Sequence, residues 1–111
     1  KRLGDGLMLT FPAPEAAVLA ALELVAKIDA PLRLRVGIHV GEAVVSRDDV
    51  LGHVVNVAAR ITEQAKGGVV MASVDVRAAV TPMEGVVFGR ARRVRLKGVE
   101  PMSLVRVEPA S

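Results

Sequence analysis

Three groups of residues have types and spacings that suit phosphate chemistry. The first is Asp5, which stands between Gly4 and Gly6. An aspartate in a tight glycine turn can present its carboxylate to a hard cation such as Mg²⁺, and the flanking glycines let phosphates approach. The second is the pair Asn56 and Arg60, four residues apart. A helix places such a pair on one face, where an amide and a planar guanidinium can bind a ribose oxygen and a phosphate.

The third group is a basic segment that contains Arg90, Arg92, Arg93, Arg95 and Lys97. In a strand, Arg93, Arg95 and Lys97 would alternate onto one face. That face could line a channel for a triphosphate, or it could guard the edge of a sheet against aggregation. The guarded edge explains the arginines without any ligand, and we prefer it for them.

The other groups also have purely structural interpretations. A Gly-Asp-Gly sequence is ordinary hairpin chemistry, and Asn56, Arg60 and Glu63 could form a solvated polar stripe on a helix. The two histidines, His39 and His53, are isolated from each other in the sequence. We interpret both as residues of a polar face without a nearby partner.

Periodicity and turn residues divide the chain into alternating strands and helices. Residues 32–40 alternate between apolar and polar side chains, which is the clearest strand pattern in the sequence. Pro12 and Pro14 suit the start of a helix. We expect this helix, residues 15–29, to be mostly buried, with a thin polar stripe. The predicted helices are 15–29, 53–66 and 74–80; the predicted strands are 7–11, 32–40, 69–72, 92–97 and 103–107, with a kink at Gly41, a further apolar stretch at 43–45 and a polar loop at 46–50.

This order of elements predicts one mixed α+β sandwich, in which helices pack against a sheet. The β-α-β beginning suits a ferredoxin-like plan. That plan needs a strand before residue 1, so we expect residues 1–111 to be a single partial domain.

Composition excludes several classes of protein. The sequence is 51% hydrophobic but only 2% aromatic, and it has no cysteine. Disulfides and zinc-thiolate sites are therefore impossible, and too few aromatic side chains are present to stack the bases of a single strand. The net charge of +3 is mild; it favours anionic ligands without indicating nucleic acid. No apolar run reaches the roughly 18 residues of a membrane span.

Four segments together, and in this order, resemble the class III adenylyl and guanylyl cyclase catalytic domains. The resemblance extends over nearly the whole chain, and the second and third segments are the most specific. The segments are Lys1-x-x-Gly4-Asp5, Arg35-Val36-Gly37-Ile38-His39-Val40-Gly41-Glu42, Gly52-x-x-Val55-Asn56-x-Ala58-Ala59-Arg60 and Leu96-Lys97-Gly98-Val99-Glu100-Pro101.

The resemblance implies catalytic roles for three residues. Asp5 resembles the second of two metal-binding aspartates, which together hold two Mg²⁺ or Mn²⁺ ions. Asn56 resembles the residue that orients the ribose, and Arg60 resembles the residue that stabilises phosphate charge in the transition state. The first metal aspartate lies on a strand before the Lys-x-x-Gly-Asp hairpin, outside this sequence. The resemblance therefore implies that residues 1–111 alone are inactive and fold poorly.

It also implies roles in substrate binding. Lys1 and Asp49 resemble the pair that selects adenine, and Lys97 resembles a triphosphate-binding lysine. Adenine offers a 6-amino donor and an N1 acceptor, which match an aspartate acceptor and a lysine donor, whereas guanine presents the opposite pattern. Guanylyl members typically carry Glu and Cys instead, and this sequence has no cysteine.

The function that the resemblance implies is the conversion of ATP to cyclic AMP and pyrophosphate by a head-to-tail homodimer in the cytoplasm. One subunit would supply the metal aspartates, and the other would supply Asn56 and Arg60. Regulatory domains are expected elsewhere in the parent chain, which could be tethered to a membrane.

Three alternatives remain open. A non-catalytic cyclase-like module would bind nucleotide or only dimerise, although such a module should have lost some of the expected residues, which are Lys1, Asp5, Asp49, Asn56 and Arg60. A guanylyl cyclase would turn over GTP. A nucleic-acid-binding domain would rely on the basic segment and would show steeply salt-dependent binding.

Overall fold

The computed structural model describes most of the chain. It covers residues 2–3, 6–7, 9–28, 33–41, 44–46, 49–80 and 82–110, and for 2–3, 6–7, 44–46 and 49–51 it describes the backbone alone. Within these residues, no helix is both long and apolar enough to cross a membrane.

Three helices form where the sequence patterns place them. Helix α1 spans Pro14–Lys27. Pro14 occupies the first turn, where backbone N–H groups have no partner within the helix, so the N–H that proline lacks is not needed. Near its other end, Lys27 donates a 2.7 Å hydrogen bond to Glu23 one turn earlier. Helix α2 spans His53–Gln64 and begins directly after Gly52. Helix α3 spans Val74–Val80.

The strands form one main sheet and two hairpins. The strands are β1 Arg2–Leu3, β2 Gly6–Leu7, β3 Arg35–Ile38, β4 Val44–Ser46, β5 Asp49–Leu51, β6 Val69–Ser73, β7 Val86–Phe88, β8 Arg92–Val94 and β9 Met102–Pro109. The main sheet has the order β3-β6-β9-β7, and β8 also pairs with β9. Strands β3 and β6 are parallel, whereas β9 is antiparallel to β6, β7 and β8. The pairs β1–β2 and β4–β5 are separate antiparallel hairpins.

Helices cover the main sheet on both faces. Helices α1 and α3 pack on one face, and α2 packs against β3 and β6 on the other. Successive residues of a strand point to opposite faces, so Val70 and Ala72 of β6 join the cluster under α1 and α3. Met71, between them, joins a second cluster under α2. Burial of apolar side chains on both faces is the main force that holds these layers together.

The close approach of α2 to β3 depends on a glycine. A Cβ atom on Gly37 would lie 2.5 Å from Oγ1 of Thr62 and 2.8 Å from the carbonyl oxygen of Ala58, and it would overlap the backbone nitrogen of Thr62. The Thr62 hydroxyl donates a 2.9 Å hydrogen bond to that same carbonyl. Helix and strand therefore meet backbone to backbone at Gly37.

The mixed α+β prediction is confirmed, but several predicted elements are wrong in extent. The strand at 7–11 is wrong beyond Leu7: Leu9 and Phe11 lie outside any strand and are 56% and 39% exposed. The strand at 32–40 is confirmed only over Arg35–Ile38. The strand ends before Gly41, whose backbone φ angle of 153° favours glycine.

Two pairings escaped the sequence analysis. The loop predicted at 46–50 is partly wrong, because Ser46 pairs with Asp49 in the β4–β5 hairpin. The polar side chains at 46–50 did not predict strands, because the hairpin is held by backbone hydrogen bonds. Strand β7 was not predicted, because a three-residue apolar stretch is too short for a period.

Helix α1 is more exposed than predicted. Only Val18 and Ala21 are buried, whereas Leu19 and Leu24 are 54% and 39% exposed. The prediction of a mostly buried helix is therefore wrong: within the described residues, only one side of α1 finds a neighbour.

Replacement of Gly37 tests the backbone contact. We expect Gly37→Ala to lower the free energy of unfolding by about 1–3 kcal/mol, because neither backbone can retreat from an added methyl group. Chemical denaturation monitored by circular dichroism measures this change. Gly89→Ala is the matched control, because its Cβ would meet its nearest neighbour, the carbonyl oxygen of Arg106, at 3.4 Å. Equal effects of the two substitutions would contradict the assigned contact.

Candidate active site

Helix α2 presents the pair Asn56 and Arg60 to solvent. The buried side of the helix is anchored by Val57 and Ile61, which are 1% and 0% exposed. Asn56 is exposed, and the side chain of Arg60 is 38% exposed. The amide and the guanidinium therefore lie one turn apart on the outside of a firmly packed helix.

Arg60 already has one partner. Its Nη1 donates hydrogen bonds of 2.7 and 3.3 Å to the two carboxylate oxygens of Glu63. The polar stripe that the sequence predicted on this helix is therefore observed for Arg60 and Glu63, whose side chains are hydrogen-bonded. Within the described residues Arg60 makes no further ion pair, so its Nε and Nη2 remain available to an anion.

Lys97 lies in the turn between β8 and β9. The lysine itself is exposed, but its neighbour Leu96 is 3% exposed. Leu96 belongs to the same buried cluster as Val57 and Ile61. The turn that carries Lys97 is therefore packed against the inner side of the helix that carries Asn56 and Arg60.

The remaining predicted site residues are described only in part or not at all. Asp49 lies on β5, whose last residue, Leu51, is separated from α2 by Gly52 alone. Lys1 and Asp5 lie outside the described residues. In the described part of the chain, no three His, Asp or Glu side chains converge as metal ligands. These residues therefore offer no complete metal site, and Asp5 stays a prediction.

His39 has a partner that the sequence did not reveal. Its Nδ1 lies 2.7 Å from Oγ of Ser73, a fully buried residue. The prediction that His39 lacks a partner is therefore wrong. The two residues are 34 positions apart and meet because β3 and β6 are parallel, with Ile38 opposite Ala72. The sequence did show a polar residue at the end of each of the two apolar strands. That pattern predicts a contact only when the pairing of the two strands is known.

Burial also changes the titration of His39. Loss of hydration lowers the pKa of His39 below its usual value of 6.5. The nearby Asp75 carboxylate acts in the opposite direction, and His53 lowers the pKa further. His53 itself is exposed, as predicted for a polar face.

The basic segment follows the edge of the main sheet. Among the described strands, β8 pairs only with β9, and Arg90, Arg92, Arg93, Arg95 and Lys97 are all exposed. These charges suit a guarded edge. The predicted strand at 92–97 ends at Val94, so the expected alternation of Arg93, Arg95 and Lys97 on one strand face is wrong.

Comparison with known proteins identifies the family. The family model described as the adenylate and guanylate cyclase catalytic domain matches residues 15–108. The chain belongs to this family. It is 35% identical over 105 residues to the "pH-sensitive adenylate cyclase MT1302" of Mycobacterium tuberculosis, a match that covers 89% of this chain and 26% of that protein.

Other relatives and solved structures agree with this assignment. The uncharacterized protein Rv1359 of Mycobacterium tuberculosis is 36% identical over 102 residues, with coverage of 90% of this chain and 38% of that protein. The chain thus spans between about a quarter and two-fifths of these relatives.

The fold likeness is also close. An adenylate/guanylate cyclase/hydrolase from Silicibacter pomeroyi superposes with a TM-score of 0.86 at 26% identity, covering 100% of this chain and 72% of that one. The adenylyl cyclase CyaB from P. aeruginosa, at 20% identity, shares the fold with a TM-score of 0.61 over 86% of this chain and 53% of that one.

The stability of this cyclase domain should depend on pH through His39. A histidine whose folded-state pKa is lowered stabilises the fold above the unfolded-state pKa, and this contribution is lost as the pH falls. We therefore expect the free energy of unfolding to decrease as the pH falls below about 6.5. Denaturation curves at pH 7.5 and 5.5 measure the decrease.

Two variants assign this pH dependence to one side chain. His39→Gln should reduce the decrease, because an uncharged amide replaces the titrating ring. His53→Gln is the matched control, and it should leave most of the decrease in place because His53 is exposed. A pH dependence that survives His39→Gln unchanged would refute the assignment to His39.

Proposed function

We propose that residues 1–111 are part of one catalytic domain that converts ATP to 3′,5′-cyclic AMP and pyrophosphate. The observation that carries this proposal is the pair Asn56 and Arg60, held side by side on the solvent side of α2 within a chain of the cyclase family. An adenylate cyclase among the relatives favours ATP as substrate.

The reaction is a displacement at phosphorus. The ribose 3′-oxygen forms a bond to the α-phosphorus, the bond from that phosphorus to the bridging oxygen of the β-phosphate breaks, and pyrophosphate leaves with the bond electrons. The proton of the 3′-hydroxyl passes to solvent. Catalysis of this type depends on positioning and on fixed positive charge near the phosphates.

In this proposal α2 supplies both functions. The Asn56 amide holds the ribose and orients its 3′-hydroxyl. The Arg60 guanidinium stabilises the charge that develops on the phosphate oxygens, for which its planar fork is suited. Because Nη1 of Arg60 bonds to Glu63, the substrate either uses the free Nε and Nη2 or displaces that carboxylate. Lys97 adds a second positive charge for the triphosphate.

Asp5 is the proposed metal ligand of this chain. A carboxylate is the ligand type that Mg²⁺ and Mn²⁺ prefer. When bound, these ions would supply charge neutralisation at the attacking and leaving oxygens. Lys1 and Asp49 are the proposed adenine contacts, as donor and acceptor for the purine edge.

A second copy of the chain would complete the site. Asn56 and Arg60 project from the outside of the subunit, so a substrate between them and Asp5 needs a further surface to enclose it. We propose a two-fold, head-to-tail homodimer, in which each site combines α2 of one subunit with Asp5 of the other. Two-fold symmetry then gives two equivalent sites.

A further strand should belong beside β3. Among the described strands β3 pairs only with β6, although helices cover both of its faces, and the β1–β2 hairpin forms a sheet of its own. An assay should therefore use the domain extended upstream of residue 1 by the expected strand. The 111 residues alone are expected to form no cyclic AMP above the background of an Arg60→Ala variant.

The direct test is cyclic nucleotide formation by the extended domain, from ATP and from GTP, with Mg²⁺ or Mn²⁺. We expect cyclic AMP from ATP and little product from GTP. Arg60→Ala should lower kcat by about 10²–10³-fold, the usual effect of removing one charge-stabilising donor, and Asp5→Ala should abolish turnover. Gln64→Ala, one turn along the same helix from Arg60, is the matched control and should retain activity.

Other outcomes separate the alternatives. Product from GTP alone would identify a guanylyl cyclase and would exclude the proposed adenine contacts. Absence of product from both nucleotides with both metals would favour the non-catalytic module.

A further inference from the structure

A groove rimmed by cations lies on the α2 side of the main sheet. It is lined by Lys66, Arg90, Arg92 and Arg106, together with Gln64 at the end of α2, and its volume is about 270 Å³. We call it the basic groove. Pockets that hold drug-sized molecules have volumes of about 300–1,000 Å³, so the basic groove suits a smaller ligand.

The floor of the basic groove is a part of the sheet next to α2. Val69 and Met71 of β6 and Leu104 of β9 form this floor. Register explains why the cations collect above it. Arg106 pairs with Met71, and Arg92 pairs with Leu104. Residues directly opposite each other share a face of the sheet, so both arginines project on the same side as the floor.

Most of the positive charge in the groove is uncompensated. In the part of the chain that the structure describes, Lys66, Arg90 and Arg92 form no hydrogen bond or ion pair through their side chains. Nε of Arg106 lies 3.1 Å from a carboxylate oxygen of Glu108, which leaves its two Nη atoms free. No carboxylate of a described residue lines the groove. Like charges that converge in this way repel one another until an anion binds.

We propose that the basic groove is a second anion site, which binds a small ligand that carries two or more adjacent phosphate groups. Arginine forks bind phosphate oxygens in pairs, and lysine adds a mobile point charge. Several cations around a small volume suit a ligand with several negative charges close together. The chain has few aromatic side chains for stacking a base, so recognition rests on the phosphates.

This site is separate from the proposed active site. Gln64, at the rim of the groove, lies one turn of α2 beyond Arg60, but Asn56, Arg60 and Lys97 do not line the groove. The proposal therefore does not depend on catalysis at Asn56 and Arg60.

A guarded sheet edge explains only part of the arrangement. It accounts for Arg93 and Arg95, which do not line the groove. It does not require Lys66, in the loop after α2, or Arg106, on a strand paired on both sides, to converge with Arg90 and Arg92. Convergence from three parts of the chain is what a binding site needs.

The test is isothermal titration calorimetry on the domain extended upstream of residue 1, with inorganic pyrophosphate as the probe and EDTA present. We expect one pyrophosphate per chain and weaker binding as KCl rises from about 50 to about 300 mM, because salt screens exposed charges. The double variant Lys66→Gln/Arg92→Gln should raise the Kd about tenfold or more, since two charge-assisted contacts are lost.

Two controls locate the site. Arg93→Gln removes the same charge from the adjacent strand position, whose partner Ser103 is not part of the groove, and it should change the Kd less than about twofold. Arg95→Gln removes another exposed charge that does not line the groove, and it should also leave the Kd unchanged. NMR spectra of the methyl groups should show pyrophosphate-induced shifts at Met71 and Leu104, which also report binding if the calorimetric signal is small.

Three results would overturn the proposal. Equal weakening by Arg93→Gln and by the groove variant would indicate a general charge effect. Loss of binding in Arg60→Ala alone would place the anion on α2 instead. Absence of methyl shifts and of heat at millimolar pyrophosphate would mean that the groove is only a guarded edge.

Discussion

The contact between α2 and β3 at Gly37 is the constraint on which the proposed site depends. The helix lies so close to the strand that a methyl group at Gly37 would overlap the backbone of Thr62. This contact, together with the burial of Val57 and Ile61, fixes the helix in position and rotation. Asn56 and Arg60 are placed by that rotation, because their side chains leave the helix outside the buried cluster. Precise placement of polar groups on a rigid element is what phosphoryl chemistry requires.

The same packing explains why polar groups gather at particular ends of the sheet. Strands β3 and β6 are parallel, so their C-terminal ends lie at the same end of the sheet, where His39 bonds to the buried Ser73. At the other end of β6 the sheet is flanked by the chain that leaves α2, and cations surround the basic groove. The two ends of one β-α-β unit therefore carry different chemistry: one has a buried histidine–serine hydrogen bond, and the other is strongly positive.

The sequence predicted best where a local pattern and a tertiary contact agree. The helix that carries Asn56 and Arg60, strand β6 and the helix that follows it were found almost at their observed bounds, because each has strong periodicity and clear end signals. The partner of His39 and the convergence of Arg106 with Arg92 could not be predicted, since both follow from strand order and register. The short strand β7 and the polar hairpin at Ser46 are held by backbone pairing, which leaves little trace in side-chain types.

The central claim is that α2 of one subunit and Asp5 of another form a single catalytic site. Mixing the Asp5→Ala and Arg60→Ala versions of the extended domain, each with little or no activity alone, tests this claim. If sites form across a two-fold interface, half of the randomly exchanged dimers are mixed and each mixed dimer has one intact site. Cyclic AMP formation should then recover to roughly a quarter of the wild-type rate. Absence of any recovery, after subunit exchange has been demonstrated, would show that Asp5 and Arg60 act within one subunit and would contradict the shared site.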